Sequence, residues 1–300
     1  MTDALSINGG GIRGIIPCSV LASLEQQTGK LIRDLFSYVA GTSTGALLAA
    51  GVAAGIPASE LLSVYTTQSK EVFTPTGLIA DAKRIAEGFM YDPTNLSKVL
   101  ASLFGGAAGW SVNDCPIGIC IPATAMNGHD WFFVRDGVRN AGTTGAVKLI
   151  DAAVASASAP TYFDHWPLSV NGQALAFFDG GSGGLANPSY QACVEMFEYD
   201  NYVPAQTRLV SLGTGFYPSG NVPPKGLIAT LSWATDTLVD TSEDWVDRAV
   251  ERQWPGVKQK FDWLLPSSIA MDDLSAIPAL LAVGKTAAAS IDWTQVLDKG

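Results

Sequence analysis

The chain has 300 residues, 18 basic and 28 acidic, giving a formal net charge of −10 with only 15% of residues charged. Globular chains average roughly 25% charged residues, and a hydrophobic content of 47% excludes disorder. An acidic balance without a basic stripe excludes nucleic-acid binding and simple electrostatic docking on anionic lipid. Met1 to Asn8 is too short and too acidic for a secretory signal. The uncharged run from Leu35 to Ser59 has the length of a membrane span. Its interruptions at Gly41, Gly45, Gly51 and Gly55 fit a strand, a turn and an Ala-rich helix better. The expectation is a soluble, cytoplasmic protein.

In chain order, Ala4 to Asn8 reads as a strand, followed by a glycine turn and a helix through Ile15, Leu21 and Leu24. Leu35 to Ala40 reads as a second strand, followed by another glycine turn and a helix from about Gly45 to Ala54. This alternation predicts parallel strands with crossover helices. Residues 58 to 104 read as helical pieces broken at Pro75, Gly77 and Pro93. Ile117 to Ala125 and Trp131 to Arg135 read as strands of a hairpin turning at Asn127-Gly128. Ala174 to Phe178 and Arg208 to Leu212 are further apolar runs, each ending in a glycine-rich loop. The sequence therefore predicts an α/β fold over residues 1–220, with 221–300 a helical C-terminal elaboration packed on the same domain. Cys18, Cys115, Cys120 and Cys193 lack metal-ligand spacing and read as buried reduced thiols; neither metal nor cofactor is expected.

Two glycine turns could carry chemistry. Gly41-Thr42-Ser43-Thr44-Gly45 is a G-x-S-x-G between a predicted strand and a predicted helix, the context of a nucleophile elbow. Flanking glycines permit the sharp turn, and the helix start favours a developing oxyanion. Gly9-Gly10-Gly11-Ile12-Arg13-Gly14 follows the first strand and also spells G-x-G-x-x-G, the mark of a dinucleotide site. That reading needs an acid closing the second strand, whereas Asp34 precedes it. Adjacent glycine N–H groups serve equally well as an oxyanion hole. Adjacent parallel strands would place both turns at one edge of the sheet. Arg13 either holds an anionic substrate group or, the preferred reading, anchors the loop through an ion pair.

Ser43 needs a base, and the chain has two histidines. His129 falls in the hairpin turn, and His165 follows an Ala-Pro-Thr-Tyr-Phe-Asp run. Asp179, in Phe177-Phe178-Asp179-Gly180-Gly181 at the end of an apolar strand, is the better candidate. Flanking phenylalanines could desolvate it and raise a carboxyl pKa from its usual ~3.9.

Together, Gly-Gly-Gly-Ile-Arg-Gly at 9–14, Gly-Thr-Ser-Thr-Gly at 41–45 and Asp-Gly-Gly at 179–181 resemble the signature blocks of the patatin-like phospholipases, in the family's order. Secondary blocks also resemble it: Ala155 to Pro160, Asn187-Pro188, Ser211-Leu212-Gly213-Thr214-Gly215, and Tyr91-Asp92-Pro93 with the helical stretch after it. The resemblance covers roughly residues 4 to 220 and departs at Asn8, where many members carry Asp; that bears on loop anchoring. It implies a three-layer α/β/α architecture with a mostly parallel sheet, and a Ser–Asp dyad without histidine or metal. Ser43 would be the nucleophile and Asp179 the base. Gly10 and Gly11 would supply the oxyanion hole, with Gly9 and Arg13 shaping the loop. The implied substrates are fatty-acyl esters of phospholipids, galactolipids, lysolipids or acylglycerols.

The segment Glu71 to Trp110, with Phe73, Leu78, Ile79, Phe89, Met90 and Phe104, reads as core helices or as the lining of an acyl channel. Five of eight tryptophans (Trp233, Trp245, Trp254, Trp263, Trp293) lie near the C-terminus among acids, which favours core packing or a partner interface over anionic headgroups. Transient membrane-surface contact and a protein activator are the partners this reading allows. Two competitors stand beside the acyl hydrolase: an interaction protein on the same scaffold, silent until a partner or signal binds, and a dinucleotide-dependent oxidoreductase.

Overall fold

A computed structural model describes residues 2–73, 89–137, 144–218 and 241–297. Leu78, Ile79, Trp233 and the expected boundary near residue 220 lie outside them.

The described strands are β1 (Thr2–Ile7), β2 (Tyr38–Gly41), β3 (Gly118–Ala125), β4 (Asp130–Val134), β5 (Trp166–Val170), β6 (Gln173–Asp179), β7 (Thr207–Leu212) and β8 (Lys258–Phe261). They form one sheet in the order β5-β6-β3-β2-β1-β7-β8, with β4 paired to β3. The pairs β1–β2, β1–β7, β2–β3 and β7–β8 are parallel. Those of β3 with β4, β3 with β6 and β5 with β6 are antiparallel.

Strand alternation builds a core on each face, because successive side chains point to opposite sides. Leu5, Ile7, Val39, Ile119, Ile121, Val210 and Leu212 face one core, covered by the helices Ile15–Thr28, Thr44–Ala54, Leu149–Ala157 and Ile277–Ser290. Ala4, Tyr38, Ala40, Cys120 and Leu209 face the other, covered by Ser189–Val194 and a helix over 241–253. The fold is therefore a mostly parallel sheet between two helical layers. All four cysteines are buried and unpaired.

Three expectations shift. The second strand starts at Tyr38, because Ile32–Leu35 forms a helical turn tied down by the Ile32 N–H donating to Glu25 Oε1 at 3.1 Å. Trp166–Val170 adds an unanticipated strand at the β5 edge, where Pro167 is tolerated. The C-terminal region contributes the edge strand β8 as well as helices, and its helix Ile277–Ser290 packs on Ile15–Thr28.

The register gathers the loops. Ile7 pairs with Gly41 on one side and Leu212 on the other, so the carboxyl ends of β1, β2 and β7 open side by side. Ala40 pairs with Cys120, and Asp179 pairs with Ala123 three residues further along β3. The antiparallel β6 thus runs inward and ends level with the turn after β2.

Candidate active site

Ser43 occupies the turn between β2 and the helix Thr44–Ala54 with φ 57° and ψ −124°. A non-glycine residue there is strained, and such strain persists only where surroundings enforce it. They do so here: a Cβ on Gly41 would strike the Gly45 carbonyl, and one on Gly45 would strike the Ile7 carbonyl. Both flanking glycines are therefore dictated by close backbone approach. The Ser43 N–H donates to Ser156 Oγ at 3.1 Å, fixing the elbow to the helix Leu149–Ala157. The helix-start N–H of Ser43 is thus occupied, not free for an anion.

Asp179 is 5% exposed and reaches Ser43 from the end of β6. Its Oδ1 accepts from the Gly181 N–H at 2.7 Å, and its carboxylate also takes a side-chain hydrogen bond from Ser43. Burial pushes its pKa up to about 6, while the Ser43 and Gly181 hydrogen bonds hold it down. Phe177, fully buried and two residues back on the same face of β6, contributes to that dry environment.

The turn after β1 lies beside Ser43: a Cβ on Gly9 would sit 3.2 Å from Ser43 Cβ. Gly10 and Gly11 have φ of 157° and 58°; the second lies in the left-handed region that favours glycine. Of the turn's N–H groups, that of Gly9 donates to the Ala186 carbonyl at 2.9 Å, Ile12 to Met271 at 2.7 Å and Arg13 to Gly10 at 3.2 Å. Among the described residues no acceptor meets the Gly10 or Gly11 N–H. Arg13 makes no ion pair among those residues; its Nε donates to the Gly10 carbonyl at 3.3 Å and Nη1 to the Gly215 carbonyl at 3.4 Å. The loop is anchored by Arg13, through carbonyls instead of the expected carboxylate.

The histidines stand elsewhere. His129 is exposed in the hairpin turn, and His165 Nδ1 lies 2.7 Å from Asp164, its ring against Phe178. The dinucleotide reading finds its approach covered, because a Cβ on Gly11 would strike the Met271 backbone. Among the described residues no His/Cys/Asp/Glu cluster could hold a metal ion, and no helix is long and apolar enough to cross a membrane.

An apolar pocket opens at Ser43, lined by Leu47, Val64, Val72, Phe73, Leu96 and Phe163 among others. Of the anticipated channel residues, Phe73 lines it, whereas Phe104 is buried in the core at 3% exposure. Tyr65, from a π-helical turn Val64–Gln68, also lines it, and its hydroxyl hydrogen-bonds Thr44 Oγ1 at 2.5 Å. Trp254 and Trp293 are buried and Trp245 is exposed against Tyr190.

Sequence reasoning named Thr214 and Asn8 but missed what they meet behind the glycine turn, and missed Glu243 and Asp262 altogether. Thr214 Oγ1 donates to the Gly9 carbonyl at 2.7 Å. Asn8 faces Glu243, whose pKa burial pushes up to about 7 despite Lys260 nearby. Asp262 Oδ1 accepts from the N–H groups of Gly215 and Trp263, each at 2.9 Å.

A family model described as patatin-like phospholipase matches residues 5–188. A cGAMP-activated phospholipase of Vibrio cholerae is 33% identical over 208 residues, spanning 64% of this chain and 57% of that protein. The mouse calcium-independent phospholipase A2-gamma is 31% identical over 227 residues, spanning 72% of this chain and 28% of that protein. The chain thus spans little more than half the length of the Vibrio relative and less of the mouse one. In fold it resembles the crystal structure of VipD from Legionella pneumophila, with TM-score 0.52 and 10% identity over 96% of this chain and 67% of that one.

Proposed function

This chain belongs to the patatin-like phospholipase family, and from that premise we propose that it is a lipid acyl hydrolase working through an acyl-enzyme on Ser43. The observation that carries the reading is the pairing of Ser43, on its strained elbow, with a buried aspartate whose pKa is raised toward neutrality. A base with a pKa of about 6 is ionised at pH 7 yet accepts a proton far more readily than an ordinary carboxylate. No imidazole is needed.

As Ser43 Oγ attacks the acyl carbonyl, its proton passes to Asp179 and the carbonyl oxygen becomes an oxyanion. The unpaired N–H groups of Gly10 and Gly11 stabilise that charge, which is where enzymes gain most. Asp179 then returns the proton to the departing alcohol, leaving the acyl group on Ser43. In the second half Asp179 takes a proton from water, the hydroxide attacks the ester carbon, and Ser43 leaves reprotonated. The apolar pocket beside Ser43 suits a fatty-acyl chain. Phe216, Tyr217 and Leu264, all about half exposed or more, support transient contact with a lipid surface.

A fluorophosphonate probe and a panel of acyl esters test this on wild type, Ser43→Ala and Asp179→Asn. The expectation is labelling and turnover in wild type only, with losses of at least about 10³-fold in each variant. Labelling that survives Ser43→Ala, or full turnover in Asp179→Asn, refutes the dyad. The name of the Vibrio relative favours a second element, activation by a signal molecule or partner. Addition of cGAMP, or of cell lysate, to the same assay tests it.

A further inference from the structure

In a trans peptide the C=O of one residue and the N–H of the next share a plane and point in opposite directions. The chain contains no cis peptide bond among the described residues. The Gly10 N–H therefore points wherever the Gly9 carbonyl does not, and the Gly11 N–H is likewise tied to the Gly10 carbonyl. Each carbonyl is held. Thr214 Oγ1 donates to that of Gly9 at 2.7 Å, and Arg13 Nε to that of Gly10 at 3.3 Å.

Thr214 is 4% exposed and stands just past the end of β7, which pairs directly with β1. It packs against the turn so closely that a Cβ on Gly10 would lie 2.7 Å from Thr214 Cβ. The loop carrying Thr214 is itself fixed at Gly215, whose carbonyl accepts from Arg13 and whose N–H donates to Asp262. Asp262 follows β8, is largely buried, and lies 3.7 Å from Lys260 Nζ. Thr214 belongs to the Ser211–Gly215 block of the sequence, and Asp262 lies well beyond it; both fall past residue 188, where the family model's match ends.

We infer that Thr214 is a positioning residue which aims the Gly10 N–H at the reacting carbonyl by holding the opposite end of the same peptide, with Asp262 bracing its loop. This rests on the reading of Gly10 and Gly11 as oxyanion donors. The hydroxyl is spent on the Gly9 carbonyl, so its effect is expected in kcat, through the oxyanion of the transition state, and not in ground-state binding. Loss of a whole oxyanion donor costs about 10²–10³ in kcat; a donor left in place but free to rotate loses less, about 10–100-fold.

The test measures kcat and KM on one hydrolysed ester for Thr214→Val, Thr214→Ala and Thr214→Ser, together with Ki for a trifluoromethyl ketone matching its acyl group. The Val and Ala variants are expected to lose about 10–100-fold in kcat with KM within about twofold, and to bind the ketone, which forms an oxyanion on Ser43, weaker by the same factor. Thr214→Ser, which keeps the hydroxyl, restores both. Should Thr214→Val not fold, the Ala and Ser pair carries the comparison. Full kcat in Thr214→Ala, or a loss that Ser does not restore, overturns the positioning role while leaving the hydrolase intact. A wild type that neither cleaves esters nor labels at Ser43 overturns the hydrolase reading and this one with it.

Discussion

At the scale of single residues, the proposed chemistry turns on a carboxyl group made unusually basic. Burial raises Asp179 to about 6, so the proposed base is protonated below that pH and ionised above it. The acid limb of kcat/KM is therefore expected to rise with pH and level off above about 6, not near the ordinary carboxylate value. A profile already flat at pH 5 would contradict it. Ser43, Asp179 and the glycine triplet were legible in the sequence because each motif is local and its backbone demands show as glycine. The roles of Thr214, seen only as part of a motif block, and of Asp262 were not, since nothing at 214 or 262 indicates which carbonyl or N–H two hundred or fifty residues away it will meet. Asn8 was visible as a departure; that it faces a largely buried Glu243 shows only in the tertiary structure. A second carboxylate at position 8 would sit against the first.

Among the elements, the alternation of strand, glycine turn and helix was readable because parallel strands buried on both faces are apolar and their helices begin at once. The strands that escaped were edge strands: Trp166–Val170 carries a proline, and Lys258–Phe261 carries two lysines. Such residues protect an edge from pairing with other chains and erase the strand signal in doing so. Helix packing is equally specific. On the helix Ile277–Ser290, a Cβ at Gly284 would lie 2.7 Å from Ser19 Cβ and Oγ on the first helix. Gly284→Val is expected to force the two helices apart and cost about 1–3 kcal/mol in denaturant unfolding. Gly106→Ala, placed where a Cβ meets nothing within 4 Å, should stay within about 0.5 kcal/mol.

Taken whole, the molecule sets stability against activity. Asp179 and Glu243 are both raised by burial, to about 6 and about 7. A raised acid holds its proton in the folded state after the unfolded chain has released it. Its stabilising contribution is thus complete below the unfolded pKa near 4 and is lost as pH rises through the folded value. Thermal stability is expected to fall between about pH 4 and 7, by up to about 1.4 kcal/mol per pH unit for each group. Asp179→Asn and Glu243→Gln should each flatten that slope in melts recorded across the range. Over the same interval the base of the proposed dyad becomes competent, so catalytic readiness and tightness of fold change in opposite directions.

The covering of Gly11 by Met271 has a further consequence, in time. Translation delivers Met271 roughly 260 residues after the glycine turn it covers, which at about 5–20 residues per second is some tens of seconds. For most of that interval the nascent chain carries its serine elbow without the residues that lock the neighbouring turn, Thr214 and Asp262 arriving late in it and Met271 at its end. The turn beside Ser43 is therefore locked only after residue 271 has been made, long after the elbow itself.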